Sequence, residues 1–143
     1  MAATLTPTKE VFQNYAQLRA KNAWAAAQRG GFSGTSKKVC VVKDVPAMIV
    51  ESGLLGAMAF AIEKNDAKKP IVGYYNTFAA LREHLVEMKN PSVRNTSDVK
   101  DWFKTLASSS AEVLRLTTTE SMAYLSYLRR FAKPDEKPED EEE

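Results

Sequence analysis

A chain of 143 residues, 44% of them hydrophobic, is long enough for one domain around one core, and domains of about this size bury roughly 68 to 70% of their unfolded surface. The longest uninterrupted apolar run, around Leu54 to Ile62, falls far short of the roughly 20 residues of a membrane-spanning helix, so no span is expected. A single cysteine excludes an internal disulfide and the opening MAATLTPTKEVF lacks the basic and then apolar order of a secretory signal, so cytoplasmic residence is expected.

Thr6 can cap a helix whose first residue is Pro7, and Phe12, Tyr15, Ala16, Ala23 and Ala27 keep helical spacing until Gly30 and Gly31 stop it. The following FSGTSKK reads as a flexible connector, while VCVV fits a short strand as well as a helical segment. Ser52 and Gly53 mark a break, after which Leu54, Leu55, Met58, Ala59 and Ile62 fall on one side of a helix. Beyond the polar NDAKKP, the residues Tyr74, Tyr75, Phe78, Leu81, Leu85 and Met88 define the next helix, ended by Asn90 and Pro91. Ser97 can cap a shorter one carrying Val99, Trp102, Phe103 and Leu106.

Thr117 stands three residues before Glu120, the spacing of a capping box, so the last helix is expected to begin there. Tyr124, Leu128 and Phe131 share one face, which Leu125 and Ala132 widen into a stripe that must pack on something. Arg129, Arg130 and Lys133 complement the dipole at the helix end, and Pro134 prevents continuation. With no clear strand or repeat, the expected fold class is all-α, a compact single-domain bundle of about six helices over residues 1–133.

The net charge of +2 conceals a segregation of sign. Residues 134–143 hold seven acids and one base and no apolar side chain, the composition of a disordered tail, which leaves 19 basic and 11 acidic residues in 1–133. Such a cationic body favours a polyanionic partner through counterion release, and the tail can compete weakly with nucleic acid for it. The bases cluster as Arg19 with Lys21, Lys37 with Lys38 and Lys43, Lys68 with Lys69, and Arg129 with Arg130. Around one helical body they would form a stripe that tracks phosphates without reading bases.

Catalytic chemistry leaves little trace. Cys40 and His84 are the only residues of their types, so a zinc site would need at least two carboxylates supplied by the fold. Cys40, among valines, reads as a small buried hydrophobe, and His84 beside Glu83 reads as an exposed helical residue. The stretch GFSGTSKK resembles a phosphate loop in composition but has Ser36 where glycine is needed and Lys38 where serine or threonine is needed. Asn95-Thr96-Ser97 fits a glycosylation sequon that a non-secreted chain would not use. Trp24, Trp102, Tyr74, Tyr75, Tyr124 and Tyr127 are candidates for stacking single-stranded RNA, most of them expected in the core, and no aromatic motif of a base-reading sheet is present.

The closing helix, through Thr118, Glu120, Met122, Tyr124, Leu125, Tyr127, Leu128, Arg129, Arg130, Phe131 and Ala132, resembles that of the Cmr-type small subunit, the all-helical minor-filament protein of type III-B CRISPR RNA-silencing complexes. The run PAMIVESGLLGAMAF is similar to that family's central helix-turn-helix, with Gly53 and Leu54 as its turning pair and Ser52 where asparagine is common. The resemblance spans roughly residues 10 to 133. It implies a second helix from about Ser36 to Glu51, entered through Lys37 and Lys38 and bent or re-started near Pro46. It also implies a non-catalytic subunit of an antiviral complex, forming a filament with neighbouring copies of itself beside the backbone subunits and helping to order guide RNA and target RNA. No cofactor or metal is expected. The RNA-binding residues chosen on this basis are Lys37, Lys38, Lys43, Arg129 and Arg130. Two rival readings are the equivalent subunit of a type III-A complex and a stand-alone helical regulator of duplex DNA. The apolar LLGAMAFAI speaks against the second, since a recognition helix needs polar side chains for base edges.

Overall fold

The computed structural model describes residues 14–136. They form five α-helices and no strand: α1 (Tyr15–Arg29), α2 (Val45–Asn65), α3 (Val72–Glu87), α4 (Val99–Ala107) and α5 (Ala111–Phe131), with short 3₁₀ turns at Val42–Asp44 and Pro91–Val93. The cap expected at Thr6 and Pro7 lies outside the described residues. Within them, α1 opens on Asn14, whose side chain accepts from the Gln17 N–H while the Gln17 side chain accepts from Asn14, each at 2.9 Å.

Six helical segments were expected and five helices are present, because the second and third are one element turned at Gly53, which adopts φ 79° and ψ 165°. Both ends of α2 lie against the start of α3. A side chain at Gly73 would meet Val41, and the Ile71 N–H donates to the Lys64 carbonyl at 3.0 Å. A straight helix of 21 residues would hold its ends about 30 Å apart, so α2 doubles back at Gly53, in keeping with the helix-turn-helix reading. The expected helix from Ser36 is corrected, since residues 36–41 lie in a loop and only Pro46, at the first turn, marks the true start. The reading of the chain as having no segment apolar enough to span a membrane is also corrected. An 18-residue window within Val42–Asn65, with mean hydropathy 1.8, suffices by length and composition. In the fold it bends back on itself and gives Val45, Ile49, Leu54, Ala57, Met58 and Ala61 to the core.

Helices α1 and α5 form the most extensive pair. Arg19 meets Glu120, Trp24 meets Phe131 and Gly31 meets Asp135, so the two helices run parallel. Ala23 and Ala26, both buried, let them approach closely. Helix α3 runs antiparallel to α1, with Asn76 beside Gly31 and His84 beside Asn22. Trp102 of α4 is fully buried, and its Nε1–H donates to Ser92 Oγ at 3.0 Å.

Two caps differ from expectation. Asp98, one residue after Ser97, caps α4 by accepting from the Asp101 N–H at 2.8 Å, because its carboxylate reaches the first turn while Ser97 spends its own N–H on Asp101 Oδ2. Helix α5 begins at Ala111, capped by Ser110, whose hydroxyl accepts from the Val113 N–H at 3.1 Å. Thr117 is therefore in mid-helix and fully buried, donating to Asn90 Oδ1 at 3.3 Å. Its spacing to Glu120 serves tertiary contacts rather than a cap.

Candidate nucleic-acid interface

The loop after α1 is held in shape by its backbone. Phe32 is buried, the Val41 N–H donates to the Phe32 carbonyl at 2.9 Å, and the Gly34 N–H donates to the Val39 carbonyl at 2.8 Å. An isolated bridge joins Ser33 to Cys40, so VCVV forms no strand and only its last residue, Val42, enters the 3₁₀ turn, while Lys37 and Lys38 sit at the loop's tip. Gly73 makes this packing possible, since a Cβ there would stand 2.2 Å from the Ser33 carbonyl oxygen. Lys43 follows in the 3₁₀ turn, which packs on α5, and Arg129 and Arg130 occupy the last turn of α5.

The fold thus carries all five sequence-chosen bases to the end of the bundle where α1 and α5 finish and α3 begins. Lys37, Lys43, Arg129 and Arg130 are exposed and Lys38 is half-buried. Acidic groups share this end. The Asp135 carboxylate accepts from the Gly31 N–H at 3.0 Å, the Asp135 N–H donates to Ser33 Oγ at 2.7 Å, and the Glu136 N–H donates to the Lys37 carbonyl at 2.9 Å. The root of the acidic segment is stitched to the basic loop. Of the remaining clusters, Lys68 and Lys69 are exposed between α2 and α3, whereas Arg19 is committed to Glu120.

That commitment belongs to a buried polar network which sequence reasoning missed. Arg19 Nε and Nη2 donate to the two Glu120 oxygens at 2.8 and 2.7 Å, a bidentate pair. His84, expected at the surface, is 1% exposed. Asn22 Nδ2 can only donate, so His84 Nδ1 accepts from it at 2.9 Å and Nε2 carries the proton given to Glu120 at 2.8 Å. Burial alone would push the Glu120 carboxyl up. The hydrogen bonds from Arg19 and His84 outweigh it and hold the group at about 2, against an ordinary 4.5. His84 stacks on Tyr124 at 4.4 Å between centroids, and burial pushes the Tyr124 hydroxyl up, in keeping with its having no hydrogen-bond partner among the described residues. The signal for His84 was present in the sequence. It stands three residues after Leu81 and four before Met88, on the inward stripe of α3.

Among the aromatic candidates, Trp102 and Tyr124 are buried, Tyr74, Tyr75 and Tyr127 are half-buried, and Trp24 is 56% exposed, edge-on to Phe131 at 5.3 Å. Trp24 is the one exposed ring among these candidates and lies beside the end of α5. Cys40 is half-buried rather than buried, and partial burial pushes its thiol up, away from the reactive thiolate. Among the described residues no group of three or more His, Cys, Asp or Glu side chains is placed to hold a metal ion.

Comparison with curated proteins and with solved structures gives no match. The sequence model of the family described as CRISPR-associated protein (Cas_Cmr5) matches residues 15–134, from the first turn of α1 to just beyond α5. An all-helical fold that turns on Gly53 and closes with the aromatic and basic α5 agrees with that match. The chain therefore belongs to the Cas_Cmr5 family, the Cmr subunit family of type III-B CRISPR systems.

Proposed function

We propose that this protein is a non-catalytic small subunit of a type III-B effector complex in the cytoplasm, stacking with neighbouring copies into the minor filament and helping to hold guide and target RNA. The observation that carries the reading is the convergence of Lys37, Lys38 and Lys43 with Arg129 and Arg130 at one end of a family member whose body is strongly cationic. Guanidinium and ammonium groups at a shared end engage phosphates through charge-assisted hydrogen bonds and counterion release, without base-edge readout. The exposed indole of Trp24, edge-on to Phe131 in the last turn of α5, adds a sequence-tolerant surface for stacking a base.

In this role the protein supplies position, and RNA cutting belongs to another subunit. Cys40→Ala in a reconstituted complex should leave target cleavage intact. The reading is tested by purifying the tagged chain from its host and identifying co-purified proteins and RNA. Backbone subunits together with guide RNA are expected. Recovery of the chain without either, under conditions that keep the complex whole, would contradict it.

A further inference from the structure

A second concentration of positive charge lies at the opposite end of α3. That helix spans 16 residues, about 24 Å, from the basic loop to a cleft of about 450 Å³ formed by its C-terminal turn and residues 89–96. The cleft is lined by Arg82, Lys89 and Arg94 together with Asn90, Asn95 and Thr96, and among the described residues no acidic side chain lines it. None of the three bases was among the clusters read from the sequence, because they are seven and five residues apart and meet only when the chain reverses after α3.

Two features mark the cleft as built. Arg82 is fixed in place, since its Nε donates to Thr96 Oγ1 at 3.1 Å and its Nη2 to the Thr96 carbonyl, which leaves Nη1 for another acceptor. Lys89 and Asn95 both adopt left-handed backbone, at φ 59° and 60°, the only non-glycine residues among those described to do so. A lysine there for the sake of the turn alone would be poorly chosen, as glycine fits that backbone better. Nor is Lys89 needed to neutralise the end of α3. The last carbonyls, of His84, Leu85 and Val86, already accept from the N–H groups of Met88, Asn90 and Lys89.

We propose that this cleft holds a phosphate group, supplied by a nucleic-acid strand that extends beyond the Lys37 and Arg129 end. The strand as source rests on the RNA-binding reading above; the phosphate chemistry of the cleft does not. The test uses the full chain, a fluorescent single-stranded RNA, and the variants Lys89→Gly with Arg94→Gln. Glycine suits the left-handed position, so folding is kept, as circular dichroism would verify. Loss of that phosphate contact should lower the log–log salt slope by about 0.7 and weaken binding about 5-fold at 0.1 M salt, with the difference vanishing toward 1 M. In parallel, the amide resonances of Lys89, Arg94 and Asn95 should shift on adding inorganic phosphate but not chloride at equal ionic strength.

Unchanged RNA affinity and slope in the variant, with no response of these amides to phosphate, overturns the cleft as a site while leaving the reading of the other end intact. A phosphate response without any RNA binding by the unaltered chain keeps the cleft as a site for free phosphate and overturns RNA as its source. Absence of both overturns the cleft and the RNA reading together.

Discussion

Replacing Glu120 by alanine removes the acceptor of three hydrogen bonds at once, two from Arg19 and one from His84. Breaking a buried ion pair from one side costs about 3 to 5 kcal/mol, because the remaining charge is left uncompensated. Arg19, with 22% of its side chain exposed, can turn partly toward water, whereas His84 Nε2 cannot, so the loss should sit near the lower bound, about 3 kcal/mol. Unfolding entropy of about 2.1 cal/mol/K per residue over the described chain makes 1 kcal/mol worth about 4 °C, so Tm should fall by about 12 °C. The same number follows from titration. A carboxyl held at about 2 in the fold against 4.5 contributes stability that is complete above pH 4.5 and lost as pH falls through about 2; at about 1.4 kcal/mol per pH unit this amounts to about 3 kcal/mol. Urea unfolding of the unaltered chain and Glu120→Ala at pH 7 and at pH 2.5 measures both, and the difference between them should shrink markedly at the lower pH. A cycle with Arg19→Ala should show coupling above about 0.5 kcal/mol. A Tm within about 3 °C of the parent, with no narrowing at acid pH, would refute the network as a stabilising unit.

Tyr124→Phe should leave stability unchanged or raise it by up to about 1 kcal/mol, since it removes a buried hydroxyl that has no partner among the described residues; a loss above about 1 kcal/mol in urea unfolding would show that the hydroxyl is bonded. Gly73→Ala should destabilise by more than about 2 kcal/mol and loosen the basic loop, because the new methyl meets the Ser33 carbonyl oxygen at 2.2 Å; unaltered hydrogen exchange at Phe32 to Val41 would contradict that close approach. Cys40→Ala should cost only about 1 kcal/mol, given its half-buried position, and a collapse of the fold in circular dichroism would mean that the loop depends on the thiol.

Local rules carried much of the fold. The apolar stripes of α3 to α5, and of α2 after Gly53, were legible because each keeps a 3.6-residue period, and the turn at Gly53 because only glycine readily takes φ 79°. Caps were legible only as types. Ser97 and Thr117 are both plausible caps, yet Asp98 and Ser110 fill the role, since a choice among neighbouring hydroxyls and carboxylates is settled by where the following helix must pack. The basic end was partly visible as Lys37, Lys38 and Arg129, Arg130, but their convergence depends on parallel packing of α1 and α5 across more than 90 residues of sequence. The Arg19–Glu120 pair, 101 residues apart, left no local trace. His84 did, and was misread because its neighbour Glu83 suggested a solvated face, whereas one residue's step around a helix is 100° and carries Glu83 outward while His84 faces the core.

Binding of RNA backbone at the Lys37 and Arg129 end, as proposed, is probed most sharply by charge reversal. Lys37→Glu, Lys38→Glu, Arg129→Glu and Arg130→Glu combined should preserve helical circular dichroism, because surface changes usually shift stability by within about 0.5 kcal/mol each. Binding of the full chain to a labelled single-stranded RNA should be measured for parent and variant across a salt series. Affinity in the parent should be indifferent to sequence and fall with a slope of about minus 0.7 per phosphate contact, and it should be lost in the folded variant. Equal affinity and equal slope in the two proteins would contradict it.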